Sequence, residues 1–120
     1  MRRRVEDFGA FQKANLLFDF VVEDLRELAR NPMGSRMVSQ QVAAADSVCA
    51  NIEEGYGRGT TRDYAHFLDI ARGSAREVRG RYTRFRHWLA PEVIATRHAL
   101  CDEIIGILTA TIQTLRSRPR

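Results

Sequence analysis

The side chains best suited to chemistry in this chain are a run of arginines, three histidines, two cysteines and one glycine-rich turn. The arginines are the densest group: Arg72, Arg76, Arg79, Arg81, Arg84 and Arg86, interrupted by a single acid, Glu77. Arginines recurring at helical spacing can neutralise successive phosphates of a nucleic acid. Arg72, Arg76, Arg79 and Arg86 fall on neighbouring turns of one helix side and are the candidate nucleic-acid-binding residues. Their competing use is structural. Glu6, Asp7, Asp19, Glu23, Asp24 and Glu27 make the first helix acidic, and these acids can pair with the arginines in the same subunit or the next.

The remaining groups offer little to a catalyst. A di-iron centre in a helical bundle takes a Glu-x-x-His pair on each of two helices and one further glutamate on each of the other two. Asp63-Tyr64-Ala65-His66 is the only acid-x-x-His spacing, and His66 lies opposite the apolar seam. His98 has one local acid, Asp102, and His87 has none. The turn Gly55-Tyr56-Gly57-Arg58-Gly59 lacks the Lys-Ser/Thr of a phosphate loop and the preceding strand of a dinucleotide site. Cys49 and Cys101 occupy apolar helical positions without CxxC or Cys-His spacing, as small core residues do; a disulfide would require their helices to abut. The expectation is a protein with no metal, no cofactor and no enzymatic activity.

Charge is distributed unevenly. Of the nineteen basic residues, six are in the tails (Arg2, Arg3, Arg4, Arg116, Arg118, Arg120), which leaves thirteen between residues 5 and 115 against all fifteen acids, a net charge of −2. The net basicity therefore belongs mainly to the tails 1–4 and 116–120. No apolar run approaches the roughly 20 residues that cross a bilayer, and no signal-peptide apolar region follows the basic start. The expected location is the cytoplasm, with no membrane partner.

These side chains must be positioned by helices. Pro32, Pro91 and the glycine-rich turn divide the chain into four segments of helical period, and none shows sustained strand alternation. The spacing predicts helices over about 8–30, 34–54, 61–89 and 91–115, forming a single all-α domain, an antiparallel up-and-down four-helix bundle. The third is the clearest, with Tyr64, Leu68, Ala71, Ala75, Val78, Tyr82, Phe85 and Leu89 alternating by four and three. In the first, Phe11, Phe18, Val22, Leu25 and Ala29 define the stripe and Leu17, Phe20, Val21 and Leu28 widen it. The fourth is equally broad, and faces of this width predict self-association.

One stretch resembles a known family. Ser39-Gln40, Ser47-Val48, Asn51-Ile52-Glu53-Glu54-Gly55-Tyr56-Gly57-Arg58, then Phe67-Leu68-Asp69-Ile70-Ala71-Arg72-Gly73-Ser74 and Glu77-Val78 follow S-Q … S-I-x-x-N-I-x-E-G-x-G-R … F-L-x-I-A-x-G-S-x-x-E-L-E. That pattern is similar to the four-helix bundle proteins named for intervening sequences in 23S ribosomal RNA genes. The resemblance implies a homo-oligomer, commonly a pentameric ring, without known enzymatic activity. A similar bundle is the accessory protein of diversity-generating retroelements, which binds a reverse transcriptase and nucleic acid. Two departures stand out: Val42-Ala43 replaces a frequent Arg-Arg pair, and Arg79 replaces the second glutamate of E-L-E.

Structural roles are expected for most motif residues. Asn51, Glu54, Arg58 and Glu77 are expected to form a polar network tying the turn to the helices, or else a partner site. Gly55 and Gly57 are expected to cap the second helix and turn the chain, and Gly73 and Ser74 to admit another backbone closely. The functional expectation is an oligomeric binding or scaffolding module for structured RNA or for a nucleic-acid enzyme such as a reverse transcriptase. The alternative is a purely protein-binding assembly whose arginines are used between subunits.

Overall fold

Proline and its preceding residue set two of the three breaks in the chain. In the computed structural model, which describes residues 4–118, α1 spans Gly9–Leu25, α2 Ser35–Tyr56, α3 Thr61–Arg84 and α4 Pro91–Ser117. The first helix ends earlier than its periodicity predicts and tightens into a 3-10 turn at Leu28–Arg30. Asn31, before Pro32, is extended (φ −84°, ψ 122°), because the proline ring disfavours the helical region for its predecessor. The same rule operates at Ala90 (φ −63°, ψ 145°) before Pro91, and α3 gives way to a 3-10 turn at Phe85–His87 instead of running to Leu89. Pro91 then occupies the first turn of α4, where its missing N–H costs nothing.

The third break has a cap. The Thr60 side chain accepts a hydrogen bond from the Asp63 backbone N–H at 3.1 Å, and Asp63 places a negative charge at the positive end of α3. The glycines here act differently from expectation. None of the described glycines has positive φ, and α2 ends at Gly57 in the right-handed region (φ −81°, ψ −5°). Gly55 lies inside the helix and buried. A Cβ there would stand 2.9 Å from Cβ of Phe67 and 3.2 Å from the Tyr64 carbonyl oxygen, so Gly55 serves the close crossing of α2 and α3.

Each helix packs against two neighbours: α1 and α3 both touch α2 and α4, which places α1 and α3 at opposite corners of a bundle about 50 Å long. The core follows the predicted seams in α3, where Leu68, Ala71, Ala75, Val78, Tyr82 and Phe85 are all buried. In α1 the stripe is rotated. Phe11 and Leu25 of the predicted stripe are core, joined by Leu17, Val21 and, in the turn after the helix, Leu28, whereas Phe18 and Val22 are half-buried and Ala29, also in that turn, is exposed. Each fully buried Leu or Val contributes about 1.5–3 kcal/mol over an exposed one. Cys49 and Cys101 are buried and unlinked. Burial, acting with nearby acids, pushes the Cys49 thiol up to about 11 and the Cys101 thiol up to about 12. No helix of the described residues is long and apolar enough to cross a membrane.

Candidate functional site

The arginines of α3 divide into committed and uncommitted groups. Arg72 donates to Asp69 Oδ1 at 2.8 Å and to Thr109 Oγ1 of α4 at 3.2 Å, and its side chain is only 17% exposed. Arg79 grips Asp102 of α4 through both carboxylate oxygens, at 2.7 and 3.2 Å. Those guanidiniums hold the Asp69 and Asp102 carboxyls below the usual carboxylate range, chiefly by hydrogen bonding. Arg81, also 17% exposed, lies 3.7 Å from Glu77. Arg76 and Arg84 are exposed and make no ion pair among the described residues, and Arg86 spends one nitrogen on the Thr83 carbonyl at 3.0 Å. Of the four predicted nucleic-acid contacts, Arg72 and Arg79 are therefore tied to α3 and α4, while Arg76 and Arg86, the latter in the 3-10 turn after α3, make no ion pair among the described residues.

The acids of α1 do not meet these arginines within the chain, because α1 and α3 are at opposite corners. One of them, Asp24, meets α4 instead. Asp24 receives two hydrogen bonds from Arg97, at 2.8 and 2.9 Å, and a third from the Tyr82 hydroxyl at 2.8 Å. The Asp24 and Arg97 side chains are 8% and 13% exposed, and the guanidinium lies 3.7 Å from the centroid of the Phe20 ring. Burial and the Asp24 carboxylate together push the Tyr82 phenol far above its ordinary range. This cluster locks α1, α3 and α4 together. Lys13 pairs with Glu103 at 2.7 Å closer to solvent. Asp19, Glu23 and Glu27 remain exposed and unpaired among the described residues.

The predicted motif network is two separate arrangements. Asn51 donates to the Ser47 carbonyl and hydroxyl at 2.8 and 3.0 Å, and the Ser47 hydroxyl meets that of Ser74 at 2.8 Å, which binds α2 to α3. Glu54 pairs with Arg58 at 3.0 Å, and Arg58 also lies over the Phe67 ring at 4.9 Å. Glu77 joins neither, since it faces Arg81. Ser74 is thus the small residue at the crossing, whereas a Cβ on Gly73 would meet no atom within 4 Å. Gly73 admits no neighbouring helix of this chain. Gln41, unmarked by any sequence signal, is fully buried and donates to the Val78 carbonyl at 2.8 Å.

Residues 6–110 match the model of the 23S rRNA-intervening sequence protein family. The chain belongs to that family. In fold it resembles a crystal structure from Bacteroides thetaiotaomicron, a protein with unknown function from the S23 ribosomal protein family, at 21% identity and a TM-score of 0.63, covering 84% of this chain and 98% of that one. No curated protein matches the chain. Within the 23S rRNA-intervening sequence framework, the two departures acquire places. Arg79 in the E-L-E position is the residue that grips Asp102. Val42 and Ala43 line a shallow groove between α1 and α2 of about 480 Å³, with Phe18 and Val38. Through Val38 and Val42 it continues into a second hollow of about 230 Å³ with Val22, Leu25 and Ala29. Among the described residues, no three or more of His, Cys, Asp and Glu converge as a metal site would require, and Asp63 and His66 are both exposed.

Proposed function

We propose that the protein is a non-catalytic, self-associating four-helix module that holds structured RNA against the outer face of α3. The observation that carries this reading is the set of exposed guanidiniums at Arg76 and Arg84 of α3 and Arg86 of the turn that follows it, which make no ion pair among the described residues while Arg72 and Arg79 are committed. Arginine offers five donors in a planar fork suited to phosphate, and an arginine uncommitted within the fold keeps those donors available. Self-association is supported by the apolar groove between α1 and α2 and by Leu16, which is 45% exposed. The family resemblance points to a pentameric ring. A ring with an odd number of subunits must use two different faces of each copy, so the groove would meet a surface other than itself.

A second reading is favoured by one observation. Unpaired acids at Asp19, Glu23 and Glu27 and unpaired arginines at Arg76 and Arg84 occupy opposite corners of the bundle. Head-to-tail contact of copies would bring them together and consume the arginines. The double charge reversal Arg76→Glu/Arg84→Glu separates the two readings. Loss of RNA binding with an unchanged sedimentation coefficient supports the first reading. Dissociation to monomers, reversed by adding Asp19→Arg/Glu23→Arg, supports the second and refutes the first.

A further inference from the structure

Apart from the arginines of α3, the end of the bundle where α1 begins, α2 turns into α3 and α4 ends carries a second group of basic side chains, all exposed around an open hollow. A cavity of about 330 Å³ is lined by Arg62, His66, Arg116 and Arg118, together with Thr61, and by no carboxylate. Like charges gathered in a hollow repel one another unless an anion joins them. The fold supplies little: Arg116 reaches Asp69 only at 3.7 Å, and Asp69 is already held by Arg72 at 2.8 Å. Arg62 and Arg118 make no ion pair among the described residues. The negative end of the α4 dipole accounts for basic residues at Arg116 and Arg118 but not for Arg62, which comes from the start of α3.

A second cavity of about 380 Å³ adjoins the first, sharing Leu115 and Arg118. Its character is aromatic. Phe8, Tyr56 and Tyr64 line it, the two tyrosines meeting edge to face at 5.8 Å between ring centroids. Thr114 and Asp7, the one acid of either lining, supply polar groups at its wall. Arg118 stands close enough to Tyr64 for its charge to oppose the upward effect of burial on the phenol. Both volumes lie in the range of small-ligand sites, which are hollows with apolar walls and a few converging polar groups.

We infer that this end of the bundle binds a nucleoside phosphate, with the phosphate among Arg62, Arg116 and Arg118 and the base against Tyr56 and Tyr64. Three guanidiniums and an imidazole suit a dianion, the aromatic hollow suits a flat heterocycle, and Asp7 suits a ribose hydroxyl or a base amino group. The chemistry is common to a free nucleotide and to the phosphorylated end of an RNA strand. No residue is shared with Arg76, Arg84 and Arg86, so the two sites stand or fall separately.

The experiment is a calorimetric titration of the full chain with adenosine 5′-monophosphate, adenosine and inorganic phosphate. A second arm uses one short oligoribonucleotide with and without a 5′-phosphate. The monophosphate is expected to bind about tenfold or more tighter than either fragment, and Arg62→Gln/Arg118→Gln to weaken it by a similar factor. Arg76→Glu/Arg84→Glu should leave it unchanged. A phosphorylated strand that outcompetes the free nucleotide assigns the site to strand ends, and equal affinity assigns it to free nucleotide. A monophosphate no tighter than inorganic phosphate, or one indifferent to Arg62→Gln/Arg118→Gln, overturns the inference, and the comparison of wild-type ligands does so without any variant.

Discussion

Replacing Asp24 by Asn changes one oxygen to an amide nitrogen and leaves the volume almost intact, so its effect isolates charge and hydrogen bonding. Asp24 accepts three hydrogen bonds of 2.8–2.9 Å, two from Arg97 and one from Tyr82, in a place where both ionic side chains are nearly sealed from water. The asparagine would leave the Arg97 guanidinium buried with no counter-charge, and removing one partner of such a pair costs about 3–5 kcal/mol. For a domain of this size that corresponds to a fall in Tm of roughly 10–25 °C. The assay is urea unfolding followed by far-UV circular dichroism at fixed protein concentration, which holds the contribution of the proposed self-association constant. Glu103→Gln is the internal control. Its pair with Lys13 is 2.7 Å long, but the two side chains are 54% and 39% exposed, and such a pair contributes about 0–1 kcal/mol. Asp24→Leu combined with Arg97→Met and Tyr82→Phe should recover most of the loss, because three apolar groups leave neither an unpaired charge nor an orphaned hydroxyl behind. An Asp24→Asn penalty as small as that of Glu103→Gln would refute the claim that this cluster locks three helices.

Three further outcomes are expected. Gly55→Ala, whose methyl would stand 2.9 Å from Phe67 Cβ, should lower stability by about 1–3 kcal/mol, whereas Gly73→Ala, with open space around it, should raise it by about 0.5–1 kcal/mol; paired denaturation curves test both. Burial raises both thiols, so Cys49 and Cys101 should resist a disulfide reagent at pH 8 in the folded protein and react fully in urea. Arg79 depresses the Asp102 carboxyl, so Asp102→Asn should destabilise the protein modestly near neutrality. Because the folded value lies below the unfolded one, that difference should fade as pH falls from the ordinary carboxyl range through the depressed value, as a pH series of melting curves would record.

Much of the fold is legible in the sequence because burial and helical period act locally. The four-three alternation from Leu68 to Phe85 reappears as an unbroken buried stripe, and the breaks at Pro32 and Pro91 follow from the geometry a proline imposes on its predecessor. The rotation of α1 was not legible: Phe18 and Leu17 are both apolar, and only the positions of α2 and α4 decide which of them is core. Gly55 reads as a cap because glycine commonly ends helices, yet its role comes from Tyr64 and Phe67 on the next helix. The division of the arginines was hidden for the same reason. Arg72 has a local partner three residues away, but the partner of Arg79 is Asp102, and that of Arg97 is Asp24, 73 residues earlier in the chain. Sequence spacing describes one helix at a time, and these pairs belong to the packing of several.

The most direct test of the proposed function is a titration of the wild-type protein with structured RNA and with heparin at about 50 and 200 mM salt. Three arginines that each neutralise one phosphate give a loss of affinity of roughly 40-fold over that range, and more when several subunits of an assembly engage one RNA. The account predicts a loss at least this steep, with RNA bound tighter than heparin. Weak binding of equal strength to both polyanions, with little dependence on salt, would contradict it and assign the α3 arginines to contacts between subunits.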